Sequence, residues 1–129
     1  MIVYSYLYGG SYDPPAPIIT IGIRGPDPAS REVRATALID TGADVSMLPL
    51  QALRAVGAKH VETRFIRGIT GARQAVETYL AVIQVGSHVV VVTEAVALVQ
   101  GRDAILGRDV LNQLTITLDG PAQTVEISE

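Results

Sequence analysis

The chain contains no cysteine and no tryptophan, and only one phenylalanine. Without thiols there is no disulfide, no thiolate nucleophile and no Cys-based metal site. Without large aromatics, the core must be built from Val, Ile, Leu and Ala, a β-branched bias that favours strands. Charge is also scarce. Charged residues make up 18% of the chain and sum to −3, so no basic footprint for nucleic acid is present. Long apolar runs are missing too. The most apolar stretch, Tyr79 to Val99, is broken by Gln84, Gly86, Ser87, His88 and Glu94, too interrupted to span a bilayer. The start, MIVYSYLYGGS, has no basic n-region and carries tyrosines in its apolar run, so it does not read as a signal peptide. The expectation is a soluble chain without a membrane partner. The compartment stays open, with the cytoplasm favoured.

What is present is a globular composition, 48% apolar over 129 residues, enough for one domain spanning 1–129 with its own core. Met1 to Tyr8 alternates weakly and reads as a terminal strand. Gly9 to Pro17 is a loop, because its prolines cannot donate to a ladder. Ile18–Arg24 and Glu32–Ile39 read as a hairpin around GPDPAS. Pro49–Val56 reads as a short helix, with Pro at its first position and Gly57 at its stop. Lys59–Arg67 and Arg73–Val85 are strands flanking the turn Gly68–Gly71. Val89–Val99 supplies one or two more strands. Ala104–Leu114 has the spacing of a short helix with Ile105, Val110, Leu111 and Leu114 inward. Thr115–Leu118 and Thr124–Ser128 close the chain as a hairpin. Many short strands and two short helices describe a mostly β domain closed on itself.

One stretch departs from this pattern. ALIDTGADVSML runs from an apolar strand end straight into Asp40, Thr41 and Gly42. Asp, Thr and Gly are turn formers, and an Asx-turn ending a strand needs no function. Against that plain reading stand the apolar residues Ala37, Leu38 and Ile39 leading into the carboxylate, a second acid at Asp44, and the downstream segment AILGRDVL.

Together, ALIDTGADVSML and AILGRDVLNQL resemble the retropepsins, the dimeric aspartic proteases of retroviruses and their bacterial and eukaryotic relatives. The matching positions are Leu38-Ile39, Asp40-Thr41-Gly42-Ala43, then Ile105-Leu106 and Gly107-Arg108. Gly68-Ile69-Thr70-Gly71 stands where that family has the tip of a β-hairpin flap, although an ordinary hairpin turn fits it equally well. The resemblance covers about Ile18 to Leu118 and implies a closed β-barrel-like acid-protease fold with a flap.

Aspartic proteolysis needs two carboxylates acting on one water. One takes its proton while the other donates to the scissile carbonyl. Two acids that close cannot both ionise. This sequence holds a single Asp-Thr-Gly, so the resemblance implies a homodimer with Asp40 and its symmetry mate on the axis. It further implies that Thr41 locks the paired loops and that Gly42 lets substrate backbone approach. Ala43 stands where pepsin-like enzymes often carry Ser, which implies a less acidic pH optimum. The same resemblance implies that Asp44 contacts substrate backbone and pairs with Arg108, and that Gly107 permits a close chain crossing. Ile69 covers an extended peptide substrate, with Arg24, Val45 and Val99 as further pocket walls. In viral members the chain ends interleave into a dimer sheet, and the resemblance implies that Ile2–Leu7 and Val125–Ser128 do the same here.

The sequence also departs from the family. Asp109 stands where viral members usually have Asn, and Tyr4, Tyr6, Tyr8 and Tyr12 have no counterpart. No cofactor or metal motif is present, and His60 and His88 are isolated. Glu94 is expected to be exposed on one face of its strand. A catalytically quiet dimerisation or peptide-binding domain is the alternative function. A plain β-barrel with a chance Asp-Thr-Gly is the third.

Overall fold

The computed structural model describes residues 2–68 and 70–128. Its strands are β1 (Val3–Leu7), β2 (Ile18–Arg24), β3 (Glu32–Ile39), β4 (Met47–Pro49), β5 (Lys59–Arg67), β6 (Arg73–Val85), β7 (His88–Leu98), β8 (Ala104–Leu106), β9 (Thr115–Asp119) and β10 (Thr124–Ser128). Two short helices, α1 (Leu50–Ala55) and α2 (Arg108–Leu111), complete it. The fold is mostly β, as expected.

Strand pairing runs β2-β3-β8-β4-β7-β6, and a further β2–β6 pairing closes this ring into a six-stranded barrel. The alternation of the sequence explains which side faces in. Ile19, Ile21 and Ile23 of β2, Ala37 and Ile39 of β3, and Ala81, Ile83 and Val85 of β6 are all buried. On β7 the inward set slips from Val90 and Val92 to Ala95 and Ala97. There, Thr93 and Glu94 of β7 oppose Leu80 alone on β6, a bulge that re-aims the strand.

β5 lies outside the ring. It pairs only with β6, and all nine of its residues are exposed. The β5–β6 hairpin therefore projects from the barrel. At its tip, the Gly71 N–H donates to the Gly68 carbonyl at 2.9 Å, and Gly71 takes φ +79, a conformation that favours glycine. Arg73 lies 4.7 Å over the Phe65 ring beside this turn.

The segment Ala104–Leu114 differs from its expected single helix. Ala104–Leu106 is a strand, parallel to β3 and meeting β4 at Met47, and only Arg108–Leu111 is helical. A three-residue apolar run wedged between two strands takes its conformation from their ladders, which periodicity cannot report. Ile105 is half-buried, as is Leu114, while Leu106, Val110 and Leu111 face the core. β4 is likewise absent from the sequence reading. Pro49 ends it and caps α1, rather than standing inside the helix. The 89–99 region forms one strand, not two.

β1, β10 and β9 form a separate antiparallel sheet within the one chain. Val125 and Ile127 are fully buried, and Tyr4, Tyr6 and Tyr8 pack beside them against the core. Tyr12 donates to Asp103 at 2.8 Å. Tyr4, Tyr6 and Tyr8 thus supply aromatic bulk in a chain with no Trp and a single Phe, the exposed Phe65.

Candidate active site

Asp40 follows the last residue of β3, where β3 runs parallel to β8 and Ile39 is in register with Leu106. Its backbone N–H donates to the Leu106 carbonyl at 3.0 Å, so the acid is tied to the strand that precedes Gly107. The chain then turns. The Gly42 N–H donates to Asp40 Oδ1 at 3.0 Å, and the Ala43 N–H to the Asp40 carbonyl at 3.2 Å. This is an Asx-turn, the plain reading of the tripeptide. It also holds the carboxylate in one orientation at the barrel end. Thr41, Gly42 and Asp44 are exposed, and Asp40 and Ala43 are half-buried.

The downstream motif meets this turn directly. The Arg108 N–H donates to the Ala43 carbonyl at 2.9 Å. Arg108 Nη1 donates to the Thr41 carbonyl at 2.7 Å, and Nη2 pairs with the Asp44 carboxylate. A planar fork fits this double task because its donors diverge in fixed directions. At Gly107 the chains cross closely. A Cβ there would stand 2.7 Å from the Val45 carbonyl carbon and oxygen and 2.9 Å from the Ala43 oxygen.

Beneath the crossing lies a link that sequence reasoning missed. Ser46 is fully buried. Its N–H donates to Asp109 Oδ2 at 3.0 Å and its hydroxyl to Oδ1 at 2.7 Å, while the Gly107 N–H donates to Ser46 Oγ at 3.0 Å. Oδ1 also accepts from the Val110 N–H at 2.9 Å. An ionised carboxylate only accepts, and here its partners are all donors. The available signal was an acid in the first turn of a helix and a lone Ser within an apolar run.

Of the residues expected to form a flap tip, Gly68, Thr70 and Gly71 sit at the exposed end of the hairpin, and Ile69 lies outside the described residues. Between this hairpin, α1 and the end of β7 runs a groove of about 590 Å³. Met47, Leu50, Ile66, Val76, Val96 and Val99 give it an apolar wall, with Arg54, Glu77 and Tyr79 at its margin. Val99 lines this groove. Arg24 does not. It stands in strand register with Glu32 at the hairpin end remote from Asp40, because the β2–β3 register sets Ile18, not Arg24, beside Leu38. Val45 contributes backbone at the Gly107 crossing rather than a groove wall. The Asp40 loop also lies outside the groove lining.

Two polar clusters brace the hairpin. Glu77 accepts from Thr63 at 2.9 Å and pairs with His60, which holds its carboxyl below the ordinary range. Glu62 is pushed up, chiefly by its hydrogen bond with Glu94, with nearby Arg64 opposing the rise. Glu94 is half-buried and tied to Arg64 and Thr78, not simply exposed as expected. Among the described residues, no three His, Cys, Asp or Glu side chains cluster as metal ligands. No helix among them is long and apolar enough to cross a membrane.

Comparisons with known proteins agree with this geometry. The family model described as "gag-polyprotein putative aspartyl protease" matches residues 31–113, which hold both the Asp40 turn and the Gly107–Arg108 crossing. A search of curated proteins gives no match. Among solved structures, EIAV protease complexed with the inhibitor HBY-793 is 21% identical, with TM-score 0.56, covering 76% of this chain and 86% of that one. Simian foamy virus (mac) protease is 20% identical, with TM-score 0.52, covering 70% and 87%. A retropepsin-like aspartic protease from Rickettsia conorii is 14% identical, with TM-score 0.57, covering 98% and 91%. At these identities the likeness is one of fold. The family match spans most of the chain, and this protein belongs to the retroviral-type, gag-polyprotein aspartyl protease family.

Proposed function

We propose that the chain is an aspartic endopeptidase active as a homodimer, with Asp40 and its symmetry mate as the catalytic pair. The observation that carries this reading is the tethering of Asp40. The acid is fixed by the Leu106 carbonyl and by its own Asx-turn at an open barrel end, and the chain holds one such motif. One ionised carboxylate removes a proton from a water. The protonated partner donates to the carbonyl oxygen as the water's oxygen bonds to the carbon. The tetrahedral adduct then collapses, with a proton passing to the leaving nitrogen.

In this reading Thr41 joins the two turns across the axis and Gly42 offers its backbone to substrate. Ala43 and Asp44 flank the peptide, and Arg108 with Gly107 supports the turn from beneath. Gly68, Ile69, Thr70 and Gly71 form a flap that closes over an extended peptide and excludes water. The apolar groove under the flap receives side chains of that peptide, a pattern favouring aliphatic residues there.

The test is cleavage of a diverse peptide mixture by wild type and by Asp40→Asn, with sedimentation of both. Cleavage by the wild type that falls by about 10²–10⁴-fold in the variant, the usual contribution of a positioned acid–base group, supports the reading. A dimer that cleaves nothing from acidic to neutral pH identifies a quiet dimerisation or peptide-binding domain instead.

A further inference from the structure

The connection between β7 and β8 serves the site at both of its ends. Val99 and Gln100 line the groove, and Asp103 directly precedes β8, whose Leu106 carbonyl accepts the Asp40 N–H. Yet residues 99–103 are all exposed, Val99 at 82%. Packing therefore does little to fix them. Outside the strand ladders, no backbone hydrogen bond among the described residues reaches 99–103. Their one side-chain hydrogen bond among those residues comes from Tyr12, whose hydroxyl donates to Asp103 Oδ2 at 2.8 Å. Building on the endopeptidase reading, we propose that Tyr12 is a positioning residue for substrate, holding the 99–103 loop through Asp103 as one wall of the peptide groove.

The tie is made from a firm side. The Gly9 N–H donates to the Ala16 carbonyl at 2.8 Å, which closes residues 9–16 on themselves, and the Tyr12 N–H donates to the Gly9 carbonyl at 3.3 Å. The Tyr12 ring lies against Gly9, where an added Cβ would stand 3.1 Å from ring carbon Cδ2. Pro17, at the end of this segment, accepts from the Ile39 N–H at 3.0 Å, one residue before Asp40. The phenol thus reaches Asp103 from a segment moored beside the Asp40 turn.

A hydroxyl donating to a carboxylate is charge-assisted. The same bond, more than burial, pushes the Tyr12 phenol above its ordinary range. A groove wall that is not held must be ordered each time peptide binds, at a cost in affinity. Tyr12 bonds to neither Asp40 nor its turn. Losing it should therefore weaken substrate binding and leave the chemical step alone.

Kinetics on a peptide that the wild type cleaves test this, with Tyr12→Phe, Asp103→Ala and Asp103→Asn made in the full chain. Tyr12→Phe and Asp103→Ala should each raise KM about fivefold, the shift one net hydrogen bond can set, with kcat within about twofold of wild type. Asp103→Asn keeps an acceptor oxygen and should stay near the wild-type KM. Tyr12→Phe combined with Asp103→Ala should be no worse than either alone. The chain has no cysteine, so a nitroxide on Arg102→Cys reports this loop alone. Its spectrum should sharpen when Phe replaces Tyr12. An active enzyme whose KM is unmoved by Tyr12→Phe overturns the proposal and leaves the endopeptidase reading standing, whether or not the spectrum changes. So does a fall in kcat alone, an additive double variant, or an unchanged spectrum. A wild type that cleaves nothing overturns both.

Discussion

The Arg108 guanidinium spans two groups of the Asp40 turn, donating through Nη1 to the Thr41 carbonyl at 2.7 Å and pairing through Nη2 with the Asp44 carboxylate. The arms are unequal. The Asp44 side chain is 83% exposed, so solvent screens that pair, and exposed pairs contribute at most about 1 kcal/mol. The carbonyl arm holds the loop itself. Arg108→Ala should therefore destabilise by about 1–2 kcal/mol, at the low end for a bond to a charged group. Asp44→Asn should cost less than about 0.5 kcal/mol for a screened surface pair. Urea unfolding at fixed protein concentration measures both. An equal or larger loss in Asp44→Asn would show that the carboxylate, not the loop carbonyl, is the main tether.

Asp109 collects the Ser46 N–H, the Ser46 hydroxyl and the Val110 N–H. Asp109→Ala strands buried donors, each worth about 1–3 kcal/mol, and should lower the melting temperature sharply. Asp109→Asn keeps one oxygen as acceptor and turns the other position into a donor facing donors. Its loss should fall between wild type and Ala. Thermal unfolding of the series checks the order, and Asn as stable as Asp would remove the argument that the second oxygen matters.

Gly107 admits no side chain. Its Cβ would meet Val45 backbone, which cannot rotate away as a side chain tip can. Gly107→Ala should cost at least the roughly 1–3 kcal/mol of an overpacked interior. It should also separate the Asp40 turn from α2. Loss of the Arg108–Ala43 amide protection in hydrogen exchange is the expected signature, while Gly120→Ala, with open space around its Cβ position, should behave as wild type.

The hairpin arm should be ordered best near the ordinary glutamate range. Glu77 is held low by His60 and Thr63, so its contribution is present above the ordinary value of 4.5 and lost as pH falls through its lower folded value. Glu62 is raised by Glu94, so its contribution is present with the proton on. It is lost as pH climbs from 4.5 through the raised folded value. Amide exchange of β5, corrected for intrinsic rates, should show protection falling on both sides. Glu77→Gln should flatten the acid side and Glu62→Gln the other. A profile unchanged by either variant would sever the link between these acids and the hairpin.

Much of this molecule was legible from local pattern. The bounds of β2, β3 and β6 follow from period-two alternation between Gly and Pro breaks, because a half-buried strand writes its inward face into every second residue, whereas β5, exposed throughout, is bounded by Gly57 and Gly68. The segments that pattern misread are the shortest. Met47–Pro49 and Ala104–Leu106 are strands only because each lies between neighbours that satisfy its backbone. Arg24 was misplaced for a related reason, since strand register decides which end of a hairpin meets the acid turn.

Composition and alternation alone determined a mostly β domain and a core of branched aliphatics, and the resemblance carried by the two motifs added the pairing of the Asp40 turn with Gly107–Arg108. Those are properties of residue type and chain order, and they survive without coordinates. Only the tertiary structure decided that Ser46 and Asp109 are bonded beneath that turn, that β5 stands clear of the barrel, and that the two chain ends pair with each other. Hydrogen bonds between residues more than sixty positions apart leave no local periodicity, and which strand edge stays open depends on every other pairing already made.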